Sequence, residues 1–162
     1  AGSQGLYWLP YLMGERTPHL DASARAGWIG LTARHTRADL IRAVLEGVAY
    51  SQRDCLDIIE QLGVKVDSIR LSGGGARSQL WRQMFADVFG KRVAMLETEE
   101  GSPYGAALLA LVGTGRYASV LEVCRSTIRE TASLDPHPGD SAVYAQGHKI
   151  YRALYPALKV IE

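Results

Sequence analysis

Cysteine is nearly missing from this sequence. Its two copies in 162 residues, Cys55 and Cys124, make neither a metal-spaced cluster nor a disulfide framework, which predicts two packed thiols in a reducing compartment. An excess of one charge is lacking too: 18 Lys and Arg stand against 17 Asp and Glu. No long-range field is left to gather nucleic acid or an anionic lipid surface, so neither is expected as a partner. Long apolar runs are absent, the longest being Tyr104 to Val112, far below the length that crosses a bilayer. Nothing at the start resembles a signal peptide, and the expected location is cytoplasmic. The chain opens on Ala1-Gly2-Ser3 rather than on methionine, as a piece of something longer would. What remains is the composition of an ordinary globular domain, 47% hydrophobic and 22% charged, and one domain over residues 1–162 is expected.

Strand and helix signals alternate along it. Leu6 to Leu12 and Trp28 to Leu31 read as two extended segments joined by a polar loop, hence an antiparallel pair near the start. Thr36 and Asp39 form a capping box ahead of a long helix with apolar residues from Ile41 to Leu62, and Gly63 stops it. Ile69 and Leu71 mark a strand that runs through Ser72-Gly73-Gly74-Gly75-Ala76-Arg77-Ser78 into a helix over Leu80 to Val88. Val93 to Leu96 is another strand. Ser102-Pro103 reads as N-cap and first turn of a helix from Tyr104 to Val112, whose Gly and Ala residues predict close packing. Ser119 with Glu122 caps a short helix, Asp135 to Gly139 is a loop, and Val143, Tyr144, Gly147, Ile150, Tyr151 and Leu154 mark the last helix. The fold class is α/β, a mixed sheet flanked by helices.

Two segments could carry chemistry. A triple glycine after a strand removes every Cβ from the turn, so a ligand can approach the backbone at the mouth of the next helix, where phosphate is favoured. Equally, such a turn is a tight structural bend. It lacks the Gly-Lys-Ser/Thr of a P-loop, and Ser78 stands where the dinucleotide fingerprint needs its last glycine. The second segment, Gly14 to Asp21, gathers Glu15, Arg16, Thr17 and His19 in a loop, against the plainer reading of a solvated loop with an Asx turn at Asp21. His35, His137 and His148 read as surface residues. Glu97, Glu99 and Glu100 fit helix-cap chemistry rather than metal binding. No catalytic triad, nucleophile and base, or paired carboxylates can be assembled, so no self-sufficient active site is expected.

Tyr11 to His19, Ala24 to Leu31, Leu40 to Tyr50, Ser72 to Asp87 and Gly101 to Ala107 resemble, in that order, the carboxy-terminal domain of the FGGY carbohydrate kinases, with Gly14-Glu15-Arg16-Thr17-Pro18 similar to the xylulokinase wording. The resemblance implies a ribonuclease H-like domain of the actin-like ATPase superfamily. It implies ATP or ADP on the turn, with Gly73, Gly74, Gly75 and Ala76 against ribose and α-phosphate and Gln79, one turn into the helix, at the adenine edge. Glu15, Arg16 and Thr17 would form a substrate or cleft loop. Mg2+ ligands, the sugar pocket and the proton-accepting Asp would come mainly from the family's amino-terminal domain, whose motifs this sequence lacks. The chain alone is therefore expected to be an inactive half of a kinase for a pentulose, D-xylulose above all. Other FGGY kinases, for glycerol, ribulose or gluconate, and a non-catalytic binding or interaction module are the alternatives. An apolar patch at Leu6 to Met13 is expected where the other half docks, and with it a homodimer. Ala26 stands where relatives carry Gly, so a positive φ there would be strained.

Overall fold

Residues 1–97 and 101–159 are described by the structure, a computed structural model. β1 (Tyr7–Leu9) and β2 (Gly27–Ile29) pair antiparallel with Trp8 opposite Trp28, their rings 4.4 Å apart. The predicted capping box then opens α1 (Arg37–Gln61): Thr36 accepts from the Asp39 amide and Asp39 accepts from the Thr36 amide. Gly63 follows the helix with φ +84°. β1 lies flat on α1 because Gly47 has no side chain, and a Cβ there would come 2.1 Å from the Trp8 carbonyl oxygen.

The second half is strand and helix in alternation. β3 (Ser68–Leu71) leads through a 3-10 turn (Gly74–Arg77) to α2 (Gln79–Phe89), capped by Ser78 and ended by Gly90 at φ +60°. β4 (Arg92–Leu96), α3 (Gly101–Gly113), α4 (Val120–Thr127), β5 (Glu130–Leu134) and α5 (Pro138–Lys159) complete the order. β4 is central, parallel to β3 and antiparallel to β5, which makes the sheet mixed. The core joins Leu9, Tyr11, Tyr50, Leu56, Met84, Phe89, Tyr144 and Tyr151, and a smaller group of Ala86, Val93 and Met95 lies under the sheet. No described helix is long and apolar enough to cross a membrane.

Several expectations shift. β5 has no counterpart in the sequence reading, because Glu130-Thr131-Ala132-Ser133-Leu134 is exposed along most of its length and shows no apolar alternation. Pro138 and Gly139 belong to the first turn of α5 rather than to a loop, since proline loses nothing where a helix leaves its amides unpaired. Ser102 and Pro103 are inside α3, and Glu99 and Glu100 lie outside the described residues. The small-residue face of α3 is open: only Leu108 of that helix is buried. Leu6, Leu9 and Tyr11 are core, so the bare apolar surface contracts to Leu12 and Met13, 69% and 94% exposed. Ala26 is not among the residues with positive φ and carries no strain of that kind.

Candidate functional site

The three glycines after β3 have three different reasons to be there. Gly73 takes φ +82° and ψ 179°, a region open essentially to glycine alone. Gly75 rests on Trp81, where a Cβ would land 2.5 Å from the indole ring. Among the described residues, nothing lies within 4 Å of where a Cβ on Gly74 would stand. The turn closes on itself through Ala76 N donating to Gly73 O at 3.0 Å and Ser78 N to Gly75 O at 3.2 Å. Ser78 caps α2 through the Trp81 amide, and Trp81 Nε1 donates to Leu45 O at 3.2 Å, which ties the turn to α1.

Hollows open on both sides of this bend. One, of about 240 Å³, lies at the carboxyl ends of β3 and β4, between Ser72, Gly73, Ala76, Arg77, Arg82 and Glu97. Ligands collect at that end of parallel strands because the flanking loops and helix N-termini face it. The other, of about 430 Å³, is more apolar, with Val48, Gly75, Trp81 and Phe85 in its wall. The first turn of α3 adjoins the bend, since a side chain on Gly101 would come 3.4 Å from Ser72 Oγ. Gly73, Gly75 and Ala76 thus border open space. Gln79 is the first residue of α2, not one turn in, and it is exposed and lines neither hollow.

Glu15, Arg16 and Thr17 sit elsewhere. Glu15 and Asp21 exchange backbone bonds of 2.7 Å in both directions and pinch the loop shut, with a cis peptide at Thr17-Pro18. Thr17 N donates to Glu15 Oε1 at 2.6 Å, and the predicted Asx turn is present, Ser23 N donating to Asp21 Oδ1 at 2.8 Å. Arg16 is exposed. This loop has its own shallow hollow and lines neither of the two at the glycine turn. It is fastened to the end of α5: His19 stacks on Tyr155 at 3.7 Å, Tyr11 Oη lies 3.3 Å from His19 Nε2, and Lys159 Nζ reaches Asp21 at 3.1 Å. Burial pushes the His19 pKa down, while bonds from Ser23, Tyr155 and Lys159 hold Asp21 well below the usual carboxylate range. Burial also drives Tyr11 up to about 12 and raises the Cys55 thiol, so both stay protonated near neutrality.

Sequence reasoning missed the buried ionic groups. Glu46, 3% exposed, accepts from Gly2 N, Ser3 Oγ, Arg42 Nε and Tyr144 Oη at 2.6 to 3.2 Å. His148 is not a surface residue. It lies 2.9 Å from buried Asp54 and stacks on Tyr50, and its signal was the spacing to Tyr144 and Tyr151 on one helix face. Asp54, Asp57 and His148 could crowd round an ion, as could Asp87, His137 and Asp140. Yet Arg152 and Arg53 already neutralise the first group, and Asp87 is taken up by Gln83 and the His137 amide.

Residues 1–114 match the profile of the FGGY family of carbohydrate kinases, C-terminal domain. A xylulose kinase of Staphylococcus epidermidis is 39% identical over 158 residues, 98% of this chain and 32% of that protein. A gluconokinase of Bacillus subtilis is 40% identical over 134 residues, 80% of this chain and 26% of that protein. The ligand-bound xylulose kinase structure from Lactobacillus acidophilus superimposes with a TM-score of 0.90 at 30% identity, over 98% of this chain and 32% of that one. The chain therefore spans about a third of the length of the curated relatives it matches.

Proposed function

Because the chain belongs to the FGGY family of carbohydrate kinases, as their C-terminal domain, we propose that it provides the nucleotide-binding part of an ATP-dependent sugar kinase acting on D-xylulose. Residues 1–162 act in this reading as one domain, a cytoplasmic one, and Gly73, Gly74, Gly75 and Ala76 form the bed for ribose and phosphate. The observation that carries it is the open glycine bend between two hollows, one of them at the carboxyl ends of the parallel strands. Gln79 at the start of α2 is left as the adenine neighbour, reached from solvent. Glu15, Arg16 and Thr17 serve a different edge, as an ordered cleft loop.

Phosphoryl transfer needs groups on both sides of the phosphate, and positioning supplies most of its rate. This chain offers one side. It is expected to give no measurable xylulose phosphorylation by itself. Its hollow does not fit a bare divalent cation either: Glu97 is the single acidic residue lining it among the described residues, beside Arg77 and Arg82, where Mg2+ wants a cage of oxygens. The ion would arrive on the nucleotide and take its protein ligands from outside this chain. Relatives named for xylulose and for gluconate align with this chain at nearly equal identity, 39% and 40%, which supports sugar selection elsewhere in such kinases. Xylulose is preferred because that alignment runs over 98% of the chain rather than 80%.

Titration calorimetry with ADP tests the reading. Gly74→Val is the informative variant: a Cβ at that position has no described atom within 4 Å, and the side chain would stand where the nucleotide would lie. ADP affinity should fall at least about tenfold with the melting temperature unchanged, whereas the unsubstituted chain should melt higher with saturating ADP. Equal binding by both proteins, or none by either, would refute the assignment.

A further inference from the structure

Arg82 lies one turn into α2, its amide donating to Ser78 O at 3.0 Å, and it lines the hollow at the carboxyl ends of β3 and β4. Its Nε is buried and has no hydrogen-bond partner among the described residues. Leaving a donor of a charged group unpaired away from water is costly, and arginine cannot shed its proton to escape. Such a feature calls for a partner that the described residues do not supply. The guanidinium itself sets the sign of that partner, an anion, and the hollow's single acidic lining residue among those described, Glu97, is exposed.

We propose that Arg82 is a phosphate-binding residue, its guanidinium receiving the phosphate groups of a nucleoside di- or triphosphate whose sugar rests on the glycine bend. The planar fork of arginine matches two oxygens of one phosphate, which a lysine ammonium does not. A volume of about 240 Å³ is small for a whole nucleotide and ample for its phosphates, with the nucleoside lying along the open side of Gly74. Gly73 and Ala76 also line the hollow and let the anion sit close to main chain. The inference rests on the nucleotide reading and adds to it the residue that neutralises the ligand.

Calorimetry with ADP, adenosine and inorganic pyrophosphate on the chain and on Arg82→Met and Arg82→Lys tests it. Arg82→Met should weaken ADP and pyrophosphate about ten- to a hundredfold and leave adenosine unchanged, with Arg82→Lys between them. Without ligand, Arg82→Met should melt at the same temperature or higher, because it removes a buried donor with no partner among the described residues; a purely structural arginine would lower it. ADP and adenosine weakening together, or ADP bound normally by Arg82→Met, would overturn the role of Arg82 and leave the nucleotide site standing. If the unsubstituted chain binds neither ADP nor adenosine, the nucleotide reading fails. Arg82 then survives as an anion site only if pyrophosphate binds and Arg82→Met abolishes it, and otherwise falls too.

Discussion

Glu46 shows how much one side chain can hold. Its carboxylate collects four donors from the N-terminal segment, α1 and α5, so truncation would strand all of them and leave the partly buried Arg42 without its anion. Glu46→Ala should cost about 3 kcal/mol in denaturant unfolding. Nothing in the sequence announced this residue beyond an Arg42 and Glu46 pair four apart, because its other partners are 43, 44 and 98 residues away. The glycines were legible as a group, through their run after a strand, and not individually. Only the fold separates Gly73, constrained by φ, from Gly75, constrained by Trp81, and from Gly74, whose Cβ would meet no described residue within 4 Å. Arg82 was invisible for the same reason: a missing partner is a property of three-dimensional surroundings.

Helix starts were readable at the scale of elements because caps are local chemistry, as Thr36 and Ser119 both demonstrate. Helix faces were not. The buried side of α1 is Ala43, Glu46, Gly47, Ala49, Tyr50, Asp54 and Leu56, while Ile41, Ile59 and Leu62 are exposed, so mostly small and polar residues took the inner face, with Leu56 the one aliphatic position of the expected stripe that is fully buried. On α5 the inner stripe is Tyr144, Gly147, His148 and Tyr151, one position round from Val143 and Ile150. That stripe ends in Tyr155, which fastens the Gly14 to Asp21 loop through His19. Burial holds the His19 folded-state pKa below its unfolded value of about 6.5, against the pull of Asp54, Glu15 and Asp21, with Lys159 adding to burial. The contact therefore contributes fully above that value and is lost as pH falls through the folded one. His19→Phe should keep the ring stacking and flatten the fall of melting temperature between about pH 6.5 and 5. Asp21, held ionised to far lower pH, does not titrate in that window.

At the largest scale, a buried core coexists with exposed apolar side chains. Composition and alternation were enough for an α/β class, since those follow from chain-wide patterns. The mixed sheet needed the polar strand β5, which no pattern marks. Large apolar side chains stay uncovered at Leu12, Met13, Leu109 and Leu121, at 59% to 94% exposure. Self-association to a dimer is the expected outcome, seen as a doubled mass in light scattering at tens of micromolar concentration, and Met13→Lys should shift it toward monomer. The three tryptophans are distributed unevenly over this body: Trp8 and Trp28 pack at a tilt in the first ribbon, while Trp81 lies apart from them against the glycine bend. The protein thus carries its own optical probe, because indole emission from Trp81 responds to any molecule that displaces water above it. Trp81→Phe silences that component while the distant pair continues to report on the ribbon.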